Sequence, residues 1–253
     1  MSEFAIEVEG GKSVRLKTAG KYCDRNIVVT ATGGGGGDTD AAYEQGVADG
    51  KQAEYDRFWD AYQQNGNRTS YYYGFGNRGW TDETFNPKYK IIATGDAGGA
   101  FAYSQITAPL TAEMVDFSGA TNLSSAFTNT KFKEIELIDA SSNSQTLSYT
   151  FAKSEVEKIG LLVLSEKTRV NNTTFQHMSK LSYIRIQGTL SQSFGMANSP
   201  LDRDSIKNVV GSMSGTATGQ TATFNKTAVN AAFSTDEWNA LAATKPNWTI
   251  TLA

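Results

Sequence analysis

The chain has 253 residues, of which 39% are hydrophobic, a formal net charge of −3 and one cysteine. Its length can bury a sizeable core. Its 23 basic residues are scattered, leaving no electrostatic footprint for nucleic acid or an anionic membrane, and the lone Cys23 excludes a disulfide framework or a multi-cysteine zinc site.

Met1-Ser2-Glu3-Phe4 lacks a basic segment followed by an apolar one, so no standard export signal is expected; no stretch approaches a membrane span. Residues 4–32 alternate in short runs, Phe4-Ala5-Ile6-Glu7-Val8, Val14-Arg15-Leu16 and Ile27-Val28-Val29-Thr30. They predict a small all-β module. Three short strands are marginal alone, so the module is expected to need a partner or a trimer, which makes the chain a candidate homo-oligomer. Five glycines, Gly33 to Gly37, then form a flexible linker.

Residues 38–97 predict a helical and aromatic N-terminal cap. Asp38-Thr39-Asp40 opens a helix that runs to about Gln64, where Asn65-Gly66 stops it. Tyr55, Phe58, Trp59 and Tyr62 form one aromatic stripe on that helix, suited to sealing the end of the next region. Gly46 and Gly50 in its first half permit a close approach of another backbone, or simply fray the helix. Residues 65–95 read as loop-rich and aromatic, finishing the cap.

The middle of the chain, residues 98–190, repeats itself. A small or hydroxyl residue followed by Phe recurs at Ala100-Phe101, Ala126-Phe127, Thr150-Phe151 and Thr174-Phe175. The last three Phe are 24 residues apart, and the first precedes them by 26. Such a period is a solenoid signature. After the last three marks come alternating strands, Ile135-Glu136-Leu137-Ile138, Ile159-Gly160-Leu161-Leu162-Val163 and Ile184-Arg185-Ile186, with Phe132, Val156 or Leu181 as an apolar anchor between mark and strand. One unit cannot bury its apolar edge alone, whereas stacked units form a continuous core. The three Phe are therefore expected in one buried column and the three Ile in a parallel ladder. The first unit is degenerate, with Ile106 and Val115-Asp116-Phe117 in place of a clean strand.

This region resembles the BspA-like class of leucine-rich repeats, in which an Ala-Phe pair and an Ile-x-Ile strand recur at this spacing. Leu is sparse here, and Ser, Thr and Asn stand at the usual Cys or Leu positions. The resemblance implies an α+β fold: a short leucine-rich-repeat-like solenoid with a parallel strand ladder, a helical N-cap and an α/β C-cap, preceded by the all-β module. The C-cap covers residues 191–253. Asp202-Arg203-Asp204-Ser205 caps a helix through about Met213, Thr221-Ala222-Thr223-Phe224 is a strand, Thr235-Asp236-Glu237 opens a helix carrying Trp238 and Leu241, and Trp248 to Leu252 closes as a strand.

Catalytic constellations are weak. Gly74-Phe75-Gly76-Asn77-Arg78-Gly79 matches a dinucleotide fingerprint, but no strand–helix–strand unit surrounds it. The only histidine, His177, falls two residues after a Phe mark, where sister units hold Lys153 and Asn129; that is a solvated turn. Asp56 with Asp60, and Asp202 with Asp204, read as helix surface and helix cap. Cys23 reads as a packing residue. No catalytic residue, metal or cofactor is expected. The candidate binding residues are Tyr71, Tyr72, Tyr73, Arg78 and Trp80, because tyrosine offers a large rigid surface with a polar tip, although packing within the cap competes.

Three segments carry a second resemblance: Gly20-Lys21-Tyr22-Cys23-Asp24-Arg25-Asn26-Ile27-Val28-Val29-Thr30, Ala53 to Gln63, and the tail from Lys226 through Ile250. Similar strings recur in tail-associated or fibre-like structural proteins of phages infecting gut Firmicutes. That likeness implies a non-enzymatic virion protein assembled in the bacterial cytoplasm, joined to other virion proteins through its N-terminal module and facing a host surface protein or glycan. The alternatives are a bacterial surface adhesin of BspA-like type and a glycan-degrading tail component.

Overall fold

A computed structural model describes residues 4–8, 12–17, 28–31, 81, 82, 85, 87 and 90–253. The expected glycine linker, the 39–64 helix with its aromatic stripe, and Cys23 lie outside the described residues. The chain divides into two compact units, Met1–Gln64 and Asn65–Ala253. In the first, β1 (Phe4–Val8), β2 (Lys12–Lys17) and β3 (Val28–Ala31) form an antiparallel sheet in chain order, with Phe4 opposite Leu16 and Leu16 opposite Val29. The expected all-β module is present.

The second unit is α+β, with parallel strand ladders. β4 (Ile91–Asp96) pairs in parallel with β5 (Val115–Asn122), and β6 (Glu134–Asp139), β7 (Lys158–Val163) and β8 (Tyr183–Gln187) form a parallel sheet in that order. Ile135, Ile159 and Ile184 are in register as the period predicts. Behind each strand the chain turns through its Phe mark. Phe101, Phe127, Phe151 and Phe175 are fully buried, their rings near-parallel at centroid spacings of 5.7, 5.7 and 5.5 Å. The backbone keeps step: Phe101 N–H donates to Ala126 O at 2.8 Å, Phe127 N–H to Thr150 O at 2.8 Å and Phe151 N–H to Thr174 O at 3.0 Å. Phe132, Val156 and Leu181 are buried, as expected of anchors.

The small or hydroxyl residue of each mark has a physical reason. It is wholly enclosed, and where it is threonine its hydroxyl reaches back to a carbonyl of the preceding unit, from Thr150 to Leu123 O at 2.9 Å and from Thr174 to Leu147 O at 2.7 Å. A buried hydroxyl needs such a partner, whereas alanine needs none.

Three expectations are corrected. First, β6 and β7 do not alternate strictly. Their inward residues are three apart, Ile135 with Ile138 and Ile159 with Leu162, whereas those of β8, Ile184 and Ile186, are two apart. The pairing of β7 with β8 therefore carries a register shift between Ile159 and Leu162. Second, Val115 begins a strand of eight residues, not a degenerate stub. Third, the segment read as loop through residue 95 ends in β4, whose Ile91 and Ala93 enter the core. Register breaks between Ile92 and Thr94 and between Gly95 and Asp96 obscure its period, as does the glycine density beyond.

The C-terminal segment ends the ladder. Asp202 caps α1 (Arg203–Ser212), accepting from Ser205 N–H. From α1, Ser205 Oγ accepts the Ile184 N–H at 3.0 Å and Asn208 Oδ1 accepts the Ile186 N–H at 2.6 Å. Helix side chains thus satisfy the open edge of β8, which would otherwise offer unpaired donors. A further parallel sheet follows, β9 (Phe194–Met196), β10 (Gln220–Phe224) and β11 (Trp248–Leu252), with β10 central. Between β10 and β11 lie α2 (Lys226–Ala232) and α3 (Thr235–Ala243). The helices of α1 and α3 and the strands at Thr221 and Trp248 follow the sequence reading; β9 and α2 are additions to it.

Candidate functional site

Tyr71, Tyr72, Tyr73, Arg78 and Trp80, the candidate binding residues of the sequence reading, lie outside the described residues, as does the glycine string ending at Gly79. Among the described residues, the turns around each Phe mark make the most regular exposed surface.

Two positions in each of the first three units, and one in the fourth, bend into the left-handed region. Two residues before Phe stand Gly99 (φ 63°), Ser125 (58°) and Tyr149 (56°); two residues after it stand Tyr103 (61°), Asn129 (53°), Lys153 (59°) and His177 (59°). Left-handed backbone costs a non-glycine residue about 1–2 kcal/mol. Six non-glycine residues accept it because their neighbours on both sides are fixed in the Phe column and its hydrogen-bond ladder. The side chains at these turns consequently point away from the core. Tyr103, Asn129, Lys153 and His177 are exposed, which agrees with the solvated-turn reading of His177.

Tyr103 and Tyr149 are 46% and 48% exposed and share this edge. Thr128, three residues beyond Tyr149's counterpart Ser125 in the neighbouring unit, ties the two rows together: Tyr103 N–H donates to Thr128 O at 2.8 Å and Thr128 Oγ1 to Tyr149 O at 2.5 Å. Backbone hydrogen bonds join each turn to the next, so the edge displays aromatic, amide, ammonium and imidazole groups one per unit. The sequence reading aligned His177, Lys153 and Asn129 but did not carry that column back to Tyr103, nor the preceding column to Tyr149. The same count from the Phe mark would have found both.

Beside this edge runs a strip of opposite charges. Lys133 lies 3.7 Å from Glu155 and 3.3 Å from Glu157, Lys180 lies 2.7 Å from Glu155, and Lys158 lies 2.6 Å from Glu134. The hydrogen bond from Lys180 holds the Glu155 carboxyl below its usual range, and Glu134 raises the Lys158 ammonium. Exposed pairs of this kind contribute little stability. Their effect is to neutralise the strip, each charge answered from the next unit.

A cleft of about 220 Å³ beside β5 holds Lys90, Asp116 and Asp139. Each of its two carboxylates is engaged locally. Asp116 accepts from Ser118 N–H at 2.8 Å and Asp139 from Ser141 N–H at 2.9 Å, each closing a turn on its own chain. The Ser118 bond, with Lys90 nearby, keeps Asp116 below the ordinary carboxylate range. Asp202 is likewise engaged as the cap of α1. Among the described residues no helix is long and apolar enough to cross a membrane.

No protein-family model, curated protein or solved structure matches the chain.

Proposed function

We propose that this chain is a non-enzymatic attachment module, in which the Phe-marked units form a leucine-rich-repeat-like solenoid of the BspA-like class that displays a recognition edge. The observation that carries the reading is the edge itself: Tyr103, Asn129, Lys153, His177 and Tyr149 stand on left-handed turns above a rigid, buried Phe column. The backbone of these turns is set before any partner arrives, so binding need not order it. Tyrosine is among the residues that recognition surfaces favour. The likeness of three sequence segments to phage tail and fibre proteins supplies the setting: a virion component held by residues 1–32 to other virion proteins, with the solenoid facing a host surface or another virion protein.

The test uses particles and cells. A chain lacking residues 1–37 is expected to fold, to adsorb to host cells and to be missing from purified particles. Normal incorporation of the truncated chain contradicts the anchoring role. Absence of adsorption by the full chain contradicts the recognition role, and hydrolysis of a cell-wall or capsule glycan by the purified chain contradicts the non-enzymatic reading.

A further inference from the structure

An open cleft lies where the last Phe-marked turn meets the C-terminal sheet. It measures about 420 Å³ and is lined by Asn171, Asn172, Thr173, Gln192, Ser193 and Gln220. Such a volume falls within the range of small-molecule sites, about 300–1,000 Å³. Every lining side chain is an amide or a hydroxyl. None is charged, and none is a hydrocarbon.

Part of that lining is fixed. Gln220 Oε1 accepts from Ser193 N–H at 2.8 Å and from Ser193 Oγ at 3.0 Å, while its amide group donates to Thr218 O at 3.1 Å. Ser193 Oγ also accepts the Thr221 N–H at 2.9 Å, at the start of β10. Across the cleft, Asn171 Oδ1 accepts from Thr173 N–H at 3.0 Å and from Thr173 Oγ1 at 2.8 Å, and its amide group donates to Ser148 Oγ at 3.3 Å. The rest of the lining differs: among the described residues, the side-chain amides of Asn172 and Gln192 make no hydrogen bond, unlike those of Asn171 and Gln220. Two free amides, each with two donors and an acceptor, therefore flank a rigid polar floor. The Thr173 hydroxyl is held as well, accepting the backbone N–H of Tyr149 at 3.2 Å.

The geometry points to this cleft as a binding site for a neutral saccharide. Vicinal hydroxyls present a donor and an acceptor side by side, the pattern that a primary amide matches. A neutral lining offers no counter-charge to a carboxylate or an ammonium, so uronic acids and amino sugars are disfavoured. A peptide backbone would also satisfy amides, but the lining has no apolar recess for its side chains. This assignment deepens the attachment reading and rests on it for its biological setting.

The test is a titration of the full-length ¹⁵N-labelled chain with methyl α-glucoside, methyl α-galactoside and methyl α-mannoside, alongside glucuronate, glucosamine and an N-acetylated, C-methylamidated alanine peptide unit. The expected result is saturable shifts of the Asn172 and Gln192 side-chain amides with at least one neutral glycoside. The paired substitution Asn172→Ala and Gln192→Ala is expected to weaken that binding at least about tenfold, with backbone signals remote from the cleft unchanged. Absence of saturable shifts with all three glycosides, unchanged affinity in the paired variant, or stronger binding of the peptide unit or a charged sugar would overturn the assignment. Adsorption to cells separates the two readings: a full chain that adsorbs while no glycoside shifts the cleft amides removes this assignment and leaves the attachment role standing.

Discussion

Gly160 sits at the extra residue that separates Ile159 from Leu162, and a Cβ built there would lie 2.5 Å from the Glu136 carbonyl oxygen of the neighbouring strand. Backbone cannot yield as a flexible side chain does, so glycine is needed for close approach. Gly160→Ala is expected to destabilise by about 1–3 kcal/mol. Gly195→Ala is the matched control, because nothing lies within 4 Å of its Cβ position. Urea unfolding of both variants measures the difference, and equal midpoints would contradict the close approach. A second residue-scale test uses the column three residues after each Phe, namely Ser104, Thr130, Ser154 and Met178. Thr130 Oγ1 is buried without a hydrogen-bond partner, whereas Thr150 Oγ1 has one. Thr130→Val should therefore be neutral or stabilising, while Thr150→Val should cost about 0.5–1.5 kcal/mol. Comparable losses in the two variants would mean that Thr130 has a partner after all.

At the scale of elements, the Phe column was legible because a 24-residue period needs only the positions of four large residues. The ladder of Ile135, Ile159 and Ile184 followed from the same count. The left-handed turns were not legible, since Tyr149, Lys153 and His177 carry none of the glycine signal that marks such backbone; stacking imposes the conformation against local preference. β4 was hidden for the converse reason, with Gly95 inside it and Gly98 and Gly99 in the turn just beyond suggesting loop, where pairing of residues 91–96 with β5 makes strand. The α1 cap was legible from Asp202, but its use of Ser205 and Asn208 to close the edge of β8 depends on contacts 21 and 22 residues apart.

The start of α3 adds a pH prediction at this same scale. Glu237 forms a reciprocal capping box with Ser234 and pairs with Arg203 at 2.7 Å, and the Arg203 bond foremost lowers its carboxyl from 4.5 to about 2. Arg203 also lies over the Phe233 ring, 4.4 Å from its centroid, and donates to the Ala232 carbonyl. A carboxyl depressed on folding stabilises the native state fully above its unfolded value and loses that contribution as pH falls through the folded one. The difference in melting temperature between the parent chain and Glu237→Gln should therefore be constant above about pH 4.5 and shrink toward pH 2. A difference independent of pH over that window would contradict the coupling.

At the scale of the molecule, the buried columns, the parallel ladders and the closing helix of the second unit form a core that the outward turns need not serve. That separation is why the turns carry residues unlike one another, Tyr103, Asn129, Lys153 and His177, on positions that are alike in backbone. The candidate aromatic residues from Tyr71 to Trp80 belong to a part of the chain outside the described residues, so the edge over the Phe column is the surface on which the attachment reading stands. The most direct measurement is adsorption of the full chain to host cells, parent against the paired substitution Tyr103→Ser and Tyr149→Ser. Both residues are about half exposed, so the variant's melting temperature should stay close to the parent's while its adsorption falls at least about tenfold, the loss typical of central aromatic contacts. Undiminished adsorption by a variant that melts with the parent would contradict the edge as the recognition surface.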